Sequence, residues 1–171
     1  MSRYEYLPGA LLRIFASAWV DKQSFTLNGE RPSIFFRVPD ADDTPPFVLI
    51  STFVDSPFDE FLREEQATFL CVVSEDDGVH GAVALRTLIA DMVTKPSALT
   101  DLNRYIELSE AALSISIPYR FKEMEIVGSS DEPDWDEQGK LINAAVTIRY
   151  TFTFNRESLA PLSDLDFSAY V

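Results

Sequence analysis

Asn143-Ala-Ala-Val-Thr-Ile-Arg-Tyr-Thr-Phe-Thr-Phe-Asn155 is the stretch on which the fold turns. Ala144, Val146, Ile148, Tyr150, Phe152 and Phe154 fall on one side of an extended backbone, and Ala145, Thr147, Arg149, Thr151 and Thr153 fall on the other. A period of two marks a strand with one buried face. The β-branched and aromatic residues agree with it, and neither Pro nor Gly interrupts the run. The stretch exceeds the roughly five or six residues of a typical strand, so it is expected to run through the middle of a sheet and out past its edge.

Immediately before this strand lies Gly128–Gly139, a polar loop carrying Asp131, Glu132, Asp134, Asp136 and Glu137 around Trp135. Met124-Glu-Ile-Val127 precedes the loop with an extended pattern, so the two runs form a strand pair with an acidic tip. After the strand, Ser158–Val171 has Pro161 and scattered apolar residues, which gives a domain over residues 1–155 and a tail or arm over 156–171.

Toward the N-terminus, Leu11, Leu12, Phe15 and Trp19 recur at helical spacing behind Pro8. This reads as a helix packed on the sheet, with Trp19 a candidate for contact with another subunit. Pro32, Pro39, Pro45, Pro46 and Asn28-Gly29 then break the pattern around a short candidate strand at Ser33–Val38. Phe47–Val54 is a nearly continuous apolar run, as expected of a strand covered on both faces. A charged segment, Phe58–Gln66, leads to a strand at Ala67–Val73 and an acidic turn at Ser74–Gly78. Gly81–Thr94 is the clearest helix, with Leu85, Leu88, Ile89 and Met92 on one face. Ser97–Asn103 reads as a connection, Tyr105–Leu108 as a brief alternating run, and Ala111–Tyr119 as a strand ended by Pro118. The order predicts an α+β domain: a mixed, mostly antiparallel sheet with two main helices on one face.

The composition narrows the function. With 46% hydrophobic residues the chain supports a packed core, and twenty-eight acidic against fourteen basic residues leave a formal charge of −14. No Lys/Arg cluster lies on a periodic segment, so phosphate neutralisation on duplex DNA is disfavoured. The lone Cys71 excludes an intramolecular disulfide and CxxC zinc sites. No run reaches the roughly eighteen apolar residues of a membrane span, and the N-terminal stretch is a poor signal peptide. The expectation is a soluble, intracellularly made chain.

Catalytic signatures are missing. His80 and Cys71 stand on different elements without further partners, and no GxSxG, GxGxxG or Walker pattern occurs. Asp134–Gly139 begins like a calcium loop, but its twelfth ligand would fall on Ala145, inside the strand. No catalytic residue, cofactor or metal is assigned, and the chain is expected not to be an enzyme.

The arrangement as a whole resembles the tail terminator proteins of long-tailed bacteriophages and tail-like particles. The resemblance rests on the helix around Leu11–Trp19, the strand Ala67–Val73 with its acidic turn, the helix Gly81–Thr94, and the late pair in which Glu123–Val127 leads through Asp131–Gly139 into Leu141–Phe154. It implies a mixed sheet with helices on one side, and a ring, usually of six subunits, that binds the last ring of tail-tube protein. Such a ring stops polymerisation and presents a surface to the head-completion or neck protein, so the expected location is the tail–neck junction of the virion. The segments Asn28–Pro46 and Phe58–Gln66 and the C-terminal tail depart from shorter members. Genomic DNA would pass through the lumen without specific binding, since a ring of such acidic subunits repels phosphates. The residues assigned to interface or lumen are Trp19, Asp131, Glu132, Asp134, Trp135, Asp136, Glu137 and Arg149, together with the edge of the Asn143–Asn155 strand. Two rival readings stay open: another head–tail connector, and a small α+β enzyme or ligand-binding domain with a pocket and a perturbed carboxylate.

Overall fold

The computed structural model describes residues 8–35, 43–54, 62–114, 116–130, 134–135 and 140–154. In chain order the elements are α1 (Pro8–Lys22), β1 (Ser33–Phe35), β2 (Phe47–Val54), β3 (Leu62–Ser74), α2 (Gly78–Thr94), α3 (Ala98–Leu113), β4 (Tyr119–Ser129), β5 (Asp134–Trp135) and β6 (Leu141–Phe154). The strands form one sheet in the order β1-β2-β3-β6-β4, with β5 also paired to β6. β1 and β2 are parallel; all the other pairs are antiparallel. The fold is therefore α+β with a mixed, mostly antiparallel sheet.

The alternation in β6 is borne out. Ile142, Ala144, Val146, Ile148, Tyr150 and Phe152 are all buried, and each faces a partner on β3 or β4 that points the same way. Ala67, Phe69, Cys71 and Val73 of β3 lie opposite Ile148, Val146, Ala144 and Ile142. Burying each large apolar side chain of this set contributes about 1.5–3 kcal/mol. The small Cys71–Ala144 pair and the large Phe69–Val146 pair alternate along the same face, which α2 covers by packing on β3 and β6. Leu11, Leu12, Ala16 and Val20 of α1, Ala82, Leu85, Ile89 and Met92 of α2, and Leu102 and Ile106 of α3 join these strands in one core. Gly81 is required where α2 passes the turn before it, because a Cβ there would meet Asp77 Cβ at 2.8 Å.

The structure corrects the sequence reading at several points. β6 does not run out past the sheet. β3 pairs with it from Leu141 to Thr153 on one side, while β4 and β5 pair with it on the other. Its backbone is thus paired on both sides, and among the described residues the outer strands of the sheet are β1 on one side and β4 and β5 on the other. β4 carries two bulges, between Phe121 and Glu123 and between Ile126 and Gly128, which interrupt a regular ladder at that edge. Residues 98–113 are a third helix rather than a connection and strands. Ala98, Leu102, Ile106 and Ser109 are its buried residues, at spacings of four, four and three. Four- and five-residue windows at 105–108 and 113–117 show alternation by chance, and the helical period becomes visible only over the whole span. β2 is covered on both faces only at its start: Val48 and Ile50 are buried on the core side and Phe47 on the other, beside Val72, while Ser51 further along that other side is exposed. β3 also begins earlier than its apolar run, at Leu62. The expected tail over 156–171 lies outside the described residues.

Candidate interaction surfaces

The sheet topology brings the acidic turn after β3 and the start of β6 to one end of the molecule. β3 ends at Ser74 opposite Leu141, the first residue of β6, so the turn after β3 adjoins the segment that precedes β6. Glu75 N–H donates to Lys140 O at 3.0 Å and fastens the two together. Within the turn, Gly78 takes a φ of +67°, a conformation that favours glycine, and α2 begins there. The Asp77 carboxylate accepts from Ser74 Oγ at 2.8 Å and from Asn28 Nδ2 at 2.6 Å, which fixes the turn and leaves Glu75 and Asp76 exposed. At the other flank the Arg86 guanidinium of α2 donates to Ser130 O, while Ser130 N–H donates to Ala145 O at 2.9 Å. The chain between Ser130 and Lys140 is thereby anchored at both ends.

Of the residues that the sequence assigns to this end, Asp134 and Trp135 are placed on the backbone as β5, opposite Asn143 and Ile142. Asp131, Glu132, Asp136 and Glu137 lie outside the described residues. Arg149 is on the open face of the sheet, away from this end, where its guanidinium pairs with Glu125 and stands 3.9 Å from Glu64. Gln66, Thr68, Thr147 and Thr151 share that face, with a 2.9 Å hydrogen bond between the Thr68 and Thr147 hydroxyls. Among the described residues no helix covers it. Trp19 is half-buried between helices: its Nε1–H donates to Leu88 O at 2.9 Å and Lys95 Nζ lies 5.5 Å from the centre of its ring. One edge of Trp19 nevertheless lines an open groove between α1 and α3, beside Phe15 and Tyr105.

Two groups with chemical potential are built into the core. Cys71 is fully buried, and desolvation pushes its thiol up to about 12. His80 is exposed in the first turn of α2, so these two side chains occupy different environments. Glu65 escaped the sequence reading. It lies on the core face of β3, 7% exposed, and accepts a hydrogen bond from Tyr150 Oη at 2.9 Å. Burial holds its carboxyl above the ordinary range, opposed by the Tyr150 hydrogen bond and the charge of Arg63. Burial and the neighbouring Glu65 charge raise the hydroxyls of Tyr119 and Tyr150 in turn. Continuing the alternation of Ala67, Phe69, Cys71 and Val73 back by two residues would have placed Glu65 inside. Its surroundings are aromatic core: Phe121 lies 5.6 Å from Tyr150, and Tyr119 lies 5.6 Å from Phe152, centre to centre. Glu65 does not line the grooves between α1 and α3, between α1 and β1, or between the α2–α3 turn and β4.

Among the described residues no group of three or more His, Cys, Asp or Glu is disposed to hold a metal. Ala145, the twelfth position of the calcium-loop pattern, is engaged in β6 through its N–H to Ser130 Oγ at 2.8 Å. No described helix is long and apolar enough to cross a membrane. What the described residues define is a class: an α+β domain with helices on one sheet face and an exposed acidic turn at one end. No protein-family model and no curated protein sequence matches the chain.

Proposed function

We propose that this protein is a tail terminator of a long-tailed bacteriophage or tail-like particle. It assembles into a ring, six subunits being the natural number for this class, that caps the tail tube, stops its polymerisation and offers a joining surface to the head or neck. Its place is the tail–neck junction of the virion, and its role is structural rather than catalytic.

The observation that carries this reading is the acidic turn at one end of a one-sided sheet. Glu75 and Asp76 are exposed there, and the backbone of β5 pairs with the start of β6 at the same end. Repeated around a ring and turned toward the lumen, these charges repel DNA phosphates and let the genome pass without adhering.

Size-exclusion chromatography with light scattering, followed by negative-stain microscopy, tests the proposal. The expected result is a ring in solution or on tube protein, and a ring at the head-proximal end of tails of fixed length. A stable monomer that forms no ring even with tube protein present overturns it. A ring found on the head portal and absent from tails assigns the chain to the connector proteins instead.

A further inference from the structure

The groove between α1 and α3 is aromatic and carries more cations than carboxylates, against the acidic balance of the chain. Phe15, Trp19 and Tyr105 line an opening of about 220 Å³, with Leu108, 57% exposed, at its rim. Phe15 and Tyr105 meet edge to face at 6.3 Å. Around these aromatics stand three cations, Lys22, Lys95 and Arg104, against one carboxylate, Asp101. Asp101 is already held by Lys95 Nζ and Ser97 Oγ, each at 2.8 Å. Lys22 and Arg104 are exposed. In a chain of net charge −14, such a concavity complements the chain's own acidic end.

The groove and the acidic end belong to the two ends of one helix. Glu75–Asp77 precede the first residue of α2, and Lys95 follows its last. Seventeen helical residues separate them by roughly 25 Å. A subunit therefore cannot seat its own acidic end in its own groove.

We infer that the α1–α3 groove receives the acidic end of a second copy, formed by the exposed Glu75-Asp76 turn between β3 and α2. One patch meeting a different patch is a heterologous contact, the kind that generates a ring when its rotation closes. The aromatic floor supplies apolar area to the contact and the cationic rim sets its register. This inference rests on the ring reading above and names the contact between subunits.

Charge reversal in the full-length chain tests it. One variant, Lys22→Glu with Arg104→Glu, makes the groove acidic; the other, Glu75→Lys with Asp76→Lys, makes the end basic. Each variant alone then opposes like charges and is expected to run as a monomer, with its melting transition intact. An equimolar mixture pairs every groove with an end of opposite charge and is expected to regain the ring mass. If either folded variant alone retains the wild-type mass, or the mixture stays monomeric, the contact is wrong while the ring reading survives. If the wild-type chain is itself monomeric with and without tube protein, both fall together. Should a reversed variant fail to fold, the milder Lys22→Ala with Arg104→Ala pair decides the matter. A rise of about tenfold or more in the dissociation concentration supports the contact, and no change overturns it.

Discussion

Glu65 and Tyr150 are the residues at which burial and chemistry conflict most sharply. A carboxyl on the core face is tolerated because Tyr150 donates to it at 2.9 Å, so removing that donor leaves a buried acceptor unsatisfied. Tyr150→Phe is expected to cost about 1–3 kcal/mol by chemical denaturation, and an unchanged midpoint would show the bond to be dispensable. The raised carboxyl also gives a signed pH effect. The folded chain holds the Glu65 proton at pH values where the unfolded chain has released it. That contribution to stability is fully present below the ordinary value of 4.5 and is lost as pH rises through the folded value. Glu65→Gln lacks this loss, so its stability relative to wild type should improve from pH 4 to pH 8; a difference that stays constant across that range would refute the assignment. Cys71, with its thiol pushed up to about 12 and no exposure, should react with a thiol reagent only on the timescale of unfolding. Rapid labelling of the native protein would contradict its place in the core.

At the scale of elements, α3 is where local pattern and tertiary context diverged. Its sequence offers alternation in short pieces, whereas Ala98, Leu102, Ile106 and Ser109 turn one helical stripe to the core. The buried Ser109 hydroxyl is satisfied within the helix by Tyr105 O at 2.8 Å. Asn103 then ties α3 to β4, accepting from Phe121 N–H and donating to Phe121 O. Glu107 is exposed near the middle of the helix, so Glu107→Pro tests the element without disturbing the core. The loss should be about 3 kcal/mol relative to wild type, with Glu107→Ala near neutral, read from thermal melts and far-UV circular dichroism. Equal stability of the two variants would mean that the segment is not helical. By contrast β6, α1 and the body of α2 were legible because their periods persist over enough residues to exclude the alternative, and β2 because its apolar run is short and β-branched. Glu65 was hidden for a related reason: it sits in a charged run, and only its parity with Phe69 and Cys71 marks it as interior.

At the scale of the whole molecule, the central position of β6 moves the candidate contacts away from that strand's backbone and onto the acidic end, the open face and the α1–α3 groove. Replacing Asp131, Glu132, Asp136 and Glu137 by Asn or Gln keeps the length of the segment and should change monomer stability by about 1 kcal/mol or less. The same change should abolish ring formation or tail joining. Full assembly after the replacement would reduce the hairpin to an ordinary connection. The sequence by itself determined the one-sided strand, the α+β class, the acidity and the lack of a recognisable catalytic pattern, since these follow from residue type and short-range period. Only the tertiary structure decided that β6 lies between β3 and β4, that residues 98–113 are helical, and that Glu75 and Asp76 share one end with the hairpin. Those outcomes depend on which distant segments pair and which faces are buried together, interactions across scores of residues that a local pattern does not encode.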